Sequence, residues 1–193
     1  PATRPVRFIA PADPDLQVMV TRYTHVSIQA DDLEESVEFY RTAFDMDLIP
    51  TPNFQEPIQW LRCGEIQLHV VETDAEPPTF NHHAVHVDDF EATYRAVMDH
   101  DTAECVSIPI VDAGFVDGHP PVYVLPNDEV QLYIRDPAGN MVEVDAPDAD
   151  DVDPSVVKNM VDRADVAPRE PDQPPAGIYE AGLLAAIERD AAE

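Results

Sequence analysis

The sequence predicts an α+β fold, in which two βαβββ modules form a cupped mixed sheet around a cleft and a C-terminal helical appendage follows. Three observations carry the prediction. An internal repeat appears at an offset of 57 residues, placing His25 on His82, Asp31-Asp32 on Asp88-Asp89, Leu33 on Phe90 and Glu34 on Glu91 without a gap. Each copy begins with an alternating stretch, then an Asp-Asp pair, then apolar residues at helical spacing. Each is then followed by shorter alternating segments. The organisation read from this is an N-terminal extension at 1–22, a first module at 23–78, a second at 79–147 and a linker with C-terminal helices at 148–193.

The first strand of each module shows period two: Val26 and Ile28 alternate with His25, Ser27 and Gln29. Leu33, Val37 and Tyr40 then step by four and three, which is one face of a helix. Asp31 or Asp32 stands where a helix N-cap belongs, and the acids that follow suit the positive end of the helix dipole. In module one the later strands are PIQWLRC and EIQLHVVE, separated by Gly64. In module two they are PVYVLP, EVQLYIRD and NMVEVDA, with Asp136-Pro137-Ala138-Gly139 turning between the last two. Beyond Asp148 the chain becomes acidic and then proline-rich, with two short helical patterns, VVKNMVDR and GLLAAIER. This tail reads either as an appendage on the domain or on a second subunit, or as a partly disordered segment.

Eleven basic against 39 acidic residues give a formal charge of −28, and Lys158 is the only lysine. Such a surface repels nucleic acid and anionic membranes. The acids are scattered through DDLEES, DDFEAT and DADDVD, a pattern that favours a salt-loving host, whose solvent screens the self-repulsion, over one basic partner. No run of eighteen apolar residues exists, and PATRPVRFIAPADPDLQVMV lacks the design of a signal peptide, so a soluble, cytoplasmic protein is expected. Cys63 and Cys105 lack CxxC spacing and read as reduced and structural.

Strand alternation decides which side chains share a face. With the aliphatic residues turned to the helices, the cleft side receives His25, Ser27 and Gln29, then Gln67 and His69, then His82, Ala84 and His86. It also receives Gln131, Tyr133, Arg135 and Glu143, whereas His83 falls on the opposite side. Polar groups on a sheet face need partners, since a buried unsatisfied one costs about 1–3 kcal/mol. A divalent metal supplies one. Two imidazoles and a carboxylate, His25, His82 and Glu143, form the facial set expected for non-haem Fe(II) and also suited to Mn, Zn, Ni or Co. A lone histidine is more often a hydrogen-bonded structural residue than a ligand, but His25 and His82 hold one position of a repeat. His100 and His119 have no such support.

The segments YTHVSIQADDLEESVEFYRTAFDMDL, NHHAVHVDDFE and VQLYIRDPAGNMVEVDAP resemble the vicinal-oxygen-chelate superfamily from about Tyr23 to Pro147. That superfamily contains glyoxalase I, extradiol ring-cleaving dioxygenases, fosfomycin-resistance proteins and bleomycin-binding proteins. The resemblance implies that His25, His82 and Glu143 are the ligands and that the substrate offers the metal two vicinal oxygens. In glyoxalase I a fourth ligand, a glutamate, lies in the last strand of module one; aligning IQLHVV there puts Gln67 on it, and an amide cannot serve as the base. Tyr133 and His69 match the extradiol enzymes better, as a hydrogen-bond donor to the substrate and as acid/base, although Val124, Leu125 and Pro126 stand where those enzymes carry a further histidine. Fosfomycin-type enzymes need a basic pocket, for which Arg135 is the cleft-side cation. The bleomycin-type binding proteins need no metal, which the ligand triad argues against.

Three functions therefore stand open: a metal-dependent dioxygenase, towards which the residues lean, a glyoxalase-like lyase or isomerase, and a metal-free binding protein. His69 and Tyr133 are the expected catalytic groups, and Gln67, Gln131 and Arg135 the expected substrate contacts. The expected partners are a small molecule and, as a homodimer, a second copy of the chain.

Overall fold

A computed structural model describes residues 23–79, 81–108, 111–168, 170 and 177–179. The first module runs β1 (His25–Ala30), α1 (Leu33–Phe44), β2 (Leu48–Ile49), β3 (Ile58–Cys63) and β4 (Ile66–Glu72). Its sheet has the order β1-β4-β3-β2, with β1 parallel to β4 and the other pairs antiparallel. The second module runs β5 (His82–His86), α2 (Phe90–Met98), β6 (Glu104–Cys105), β7 (Val122–Val124), β8 (Val130–Arg135) and β9 (Met141–Ala146). Here β5 is parallel to β9, β9 antiparallel to β8, and the outer edge of β8 is shared by β7 and β6. The βαβββ grammar therefore holds twice, with the outer strand of the second copy split in two.

Both helices start on the second aspartate of the repeated pair. Asp32 accepts from the backbone N–H of Glu35 at 2.9 Å, and Asp89 from that of Ala92 at 2.8 Å. Each bond satisfies an amide that the first turn of a helix leaves without a partner. Gly64 makes the β3–β4 turn at φ 53°, a conformation open to glycine and strained for most other residues.

The aliphatic parity read from the strands places the core. Ile28, Ala30, Leu68 and Val70 from the first sheet and Val85, Leu132, Ile134, Val142 and Val144 from the second join Phe39, Tyr40, Phe90, Tyr94 and Val97 of the helices in one hydrophobic cluster. Helix α1 packs on α2. Because the two halves share this core, the polar face of each sheet lies opposite to it. Buried polar bonds also tie the halves together: Tyr40 Oη donates to Asp136 Oδ2 at 2.9 Å, and Asn140 Nδ2 donates to Asp136 Oδ2 at 2.8 Å and to the carbonyl of Gln29 at 2.7 Å.

The tail departs from its predicted form. VVKNMVDR was expected to be helical, yet Met160–Asp162 form β10, parallel to β7 and completing a six-stranded sheet. An eight-residue helix nucleates poorly in water, and the edge of β7 offers backbone partners instead. Val122 N–H donates to the carbonyl of Asn159 at 2.9 Å, and Arg163 N–H to that of Val124 at 2.8 Å. GLLAAIER and the extension at 1–22 lie outside the described residues. Among the described residues no helix is long and apolar enough to cross a membrane.

Candidate metal centre

The polar residues predicted to share the cleft fall into two groups, one on each sheet. On the first, β1 pairs with β4 in the register His25 opposite Gln67 and Ser27 opposite His69. The His25 and His69 rings stack with centroids 4.2 Å apart, and Trp60 stacks on the other side of His69 at 4.2 Å. Thr24 Oγ1 lies 3.0 Å from His25 Nδ1, and Gln67 Oε1 lies 2.9 Å from His69 Nε2. A partner on one ring nitrogen orients an imidazole and presents the other nitrogen, the usual arrangement behind a metal-ligating histidine. Burial, and then the neighbouring His25, lower the pKa of His69.

On the second sheet, β5 pairs with β9 in the register His82 opposite Met141 and Ala84 opposite Glu143. His82 Nε2 lies 2.8 Å from Glu143 Oε2, and the Glu143 residue is only 5% exposed. Gln131 donates its side-chain amide to Glu143 Oε1. Tyr133 packs with Ile108, Tyr123 and Met141 and meets the His82 ring edge-on at 5.8 Å. Burial and Glu143, which its hydroxyl contacts, push the Tyr133 pKa upward. Asp145 follows on the same face, its Oδ1 buried without a hydrogen-bond partner and its pKa raised by burial and by Glu143.

The two registers revise one alignment. Superposing β1/β4 on β5/β9 brings His25 onto His82, Gln67 onto Met141 and His69 onto Glu143. His69, and not Gln67, therefore holds the position related to Glu143. Gln67 instead engages His69. Arg135, expected to bind substrate, donates to the carbonyls of Gly139 at 2.7 Å and Thr79 at 3.2 Å and so braces the turn before β9. The guanidinium that touches the polar cluster is that of Arg163, which lies in the tail and was not singled out from the sequence. The signal available there was an arginine flanked by Asp162 and Asp165, easily lost in so acidic a stretch.

Within the described part of one chain no three His, Cys, Asp or Glu side chains converge on a point that could hold an ion. The donor types nonetheless fit a divalent metal. His82 and Glu143 already lie at the separation of two ligands of one ion, with two buried carboxylates side by side and one oxygen of Asp145 unsatisfied. His25 and His69 offer two more nitrogens at the related place on the other sheet.

Two βαβββ modules with histidine and carboxylate side chains at related positions define a class of α+β proteins. The sequence matches the model of the Glyoxalase/Bleomycin resistance protein/Dioxygenase superfamily over residues 22–144. The chain belongs to that superfamily, the vicinal-oxygen-chelate proteins. No curated protein matches the sequence. Among solved structures it is similar to a protein assigned to the glyoxalase family from Bacillus anthracis, with 20% identity, a TM-score of 0.51, and coverage of 67% of this chain and 98% of that one. It is also similar to the fosfomycin resistance protein FosX of Listeria monocytogenes, with 14% identity and a TM-score of 0.52 over 67% of this chain and 93% of that one. A mutant of the same FosX, complexed with Mn(II) and 1S,2S-dihydroxypropylphosphonic acid, matches with 14% identity and a TM-score of 0.52 over 68% of this chain and 96% of that one. At these identities the likeness shows the fold.

Proposed function

We propose that this protein is a metal-dependent enzyme whose centre is built from His25, His82 and Glu143, and that two copies of the chain pair to complete it. The observation that carries the reading is the repeated register, which sets His25 beside His69 on one sheet and His82 beside Glu143 on the other. Since the core occupies the opposite face of each sheet, the first half-site of one copy would close on the second half-site of its partner, making the protein a homodimer. The metal, when bound, supplies a Lewis acid that holds two neighbouring substrate oxygens. In this reading His69 would accept a proton from a substrate hydroxyl, and Tyr133 would donate a hydrogen bond to a substrate oxygen.

Of the reactions open to such a centre, oxygen-dependent ring cleavage is favoured. A glyoxalase-like reaction calls for a second carboxylate at the position of His69, and phosphonate chemistry calls for a free cation, whereas Arg163 is held by Asp165. The Trp60 indole beside His69 suits a planar substrate. The scattered acids fit a host with a salty interior.

Elemental analysis of protein purified in high salt, without chelator or nickel resin, tests the reading. The expected result is near-stoichiometric metal per chain, lost in His82→Ala with the fold retained. Iron or manganese supports ring cleavage, and zinc, nickel or cobalt redirects the assignment to the glyoxalase-like branch. No metal even after reconstitution overturns the enzyme reading in favour of a binding protein.

A further inference from the structure

We infer that Arg163, from the tail beyond the superfamily match, is a positioning residue that orients the metal ligand Glu143 through Gln131. The inference rests on the metal reading above and extends it to a residue outside the two modules. The connection is continuous. The Arg163 Nε and Nη2 atoms donate to the two carboxylate oxygens of Asp165, each at 2.8 Å, and Nη1 donates to Gln131 Oε1 at 3.1 Å. The amide nitrogen of Gln131 donates to Glu143 Oε1, and the other oxygen, Oε2, faces His82 Nε2 at 2.8 Å.

The chemistry of the groups fixes the direction of this chain. A guanidinium can only donate, so the end of the Gln131 side chain that meets it must be the carbonyl oxygen. The NH₂ end is thereby turned to Glu143, an acceptor. Arg163 and Glu143 thus favour the same orientation of the amide from its two ends, and the flipped form would set its NH₂ against the guanidinium and its oxygen against the carboxylate. The two-point grip of Asp165 holds the guanidinium in one plane, as carboxylate pairs of this kind do.

Placement of Arg163 follows from the strand the tail adds. Pairing of Met160, Val161 and Asp162 with Val122, Tyr123 and Val124 brings the next residue over the polar face of the sheet. There the Arg163 residue is 9% exposed, with its guanidinium carbon 6.0 Å from the centre of the Tyr123 ring. Eleven basic residues serve the whole chain, and this one is buried beside the site. The tail docks again further on, where the backbone N–H groups of Ile178 and Tyr179 donate to the buried Glu129 carboxylate at 3.0 Å each, and the Tyr179 hydroxyl meets His86 Nδ1 at 2.9 Å.

A double-mutant cycle on manganese(II) affinity tests the inference, using the full chain stripped of metal and titrated in high salt. Arg163→Met should weaken manganese binding about tenfold, the lower end of the range for partners of metal ligands. In a Gln131→Leu background the same change should alter the affinity less than about twofold, because the residue through which Arg163 acts is gone. A merely structural arginine would cost the same factor in both backgrounds, and that result overturns the inference while leaving the metal centre standing. An unchanged affinity in Arg163→Met overturns it equally. Should Arg163→Met fail to fold, Arg163→Lys carries the same cycle, with the same non-additivity expected and equal factors refuting it. Failure of the unaltered chain to bind manganese or any other divalent metal would overturn the metal reading, and this inference with it.

Discussion

Replacing Tyr40 by phenylalanine removes one atom from the contact that joins the two modules. Tyr40 is fully buried, Asp136 is 2% exposed, and the hydroxyl donates to Asp136 Oδ2 at 2.9 Å. Asp136 keeps the Asn140 backbone and side-chain donors at 2.7 and 2.8 Å, so the carboxylate is not stripped of partners. The loss is therefore one buried hydrogen bond to an acidic group, about 1.5–3 kcal/mol. For a chain of this size that corresponds to a fall in Tm of roughly 3–12 °C. Urea unfolding at fixed high salt should show the midpoint lowered by this amount with the slope unchanged, as one cooperative transition. A cost under about 0.5 kcal/mol would show that Tyr40 and Asp136 do not hold the modules together. A split into two transitions would show that the halves do not share one cooperative core.

Two further outcomes follow from the burial and charge of the chain. Burial, with Glu104 nearby, pushes the Cys105 thiol up to about 12. Since only the thiolate attacks alkylating agents, iodoacetamide at pH 8 should modify Cys105 at least roughly a hundredfold more slowly than free cysteine, with the rate rising as pH climbs towards that value; rapid labelling of native protein would contradict a thiol held in its protonated form at this half-buried position. The formal charge of −28 makes self-repulsion a general cost of folding, so Tm should rise steadily with KCl at neutral pH and flatten once the charges are screened. A Tm independent of salt would remove the argument for adaptation to a salty solvent.

The α+β fold was legible because its cues are local and doubled. Asp32 and Asp89 announce two helices, and Ile28 or Val144 announce which side of a strand is buried. The inward parity of His25, His82 and Glu143 came from the same alternation. Two-residue strands such as Leu48–Ile49 and Glu104–Cys105 carry too little pattern to be seen, since the backbone of a longer neighbour recruits them. Met160–Asp162 misled for a related reason: the helical spacing of VVKNMVDR is real, but the open edge of β7 outcompetes it. The partner of a long polar side chain is less visible still. Nothing in the local sequence says that Arg135 braces a turn while Arg163, 28 positions on, reaches Gln131. Likewise, the segment IQLHVV alone points to Gln67, and only the strand registers bring His69 into the place of Glu143.

Subunit complementation tests the central claim, that one copy supplies His25 and the other His82 and Glu143 to a shared metal centre. Homodimers of His25→Ala and of His82→Ala should each bind no metal with native affinity. When the two variants are mixed, unfolded and refolded together, the mixed dimer contains one site with both lesions and one with neither, so metal binding should return at one ion per mixed dimer. Mixing that restores no binding, although mixed dimers form, would contradict a centre shared between copies.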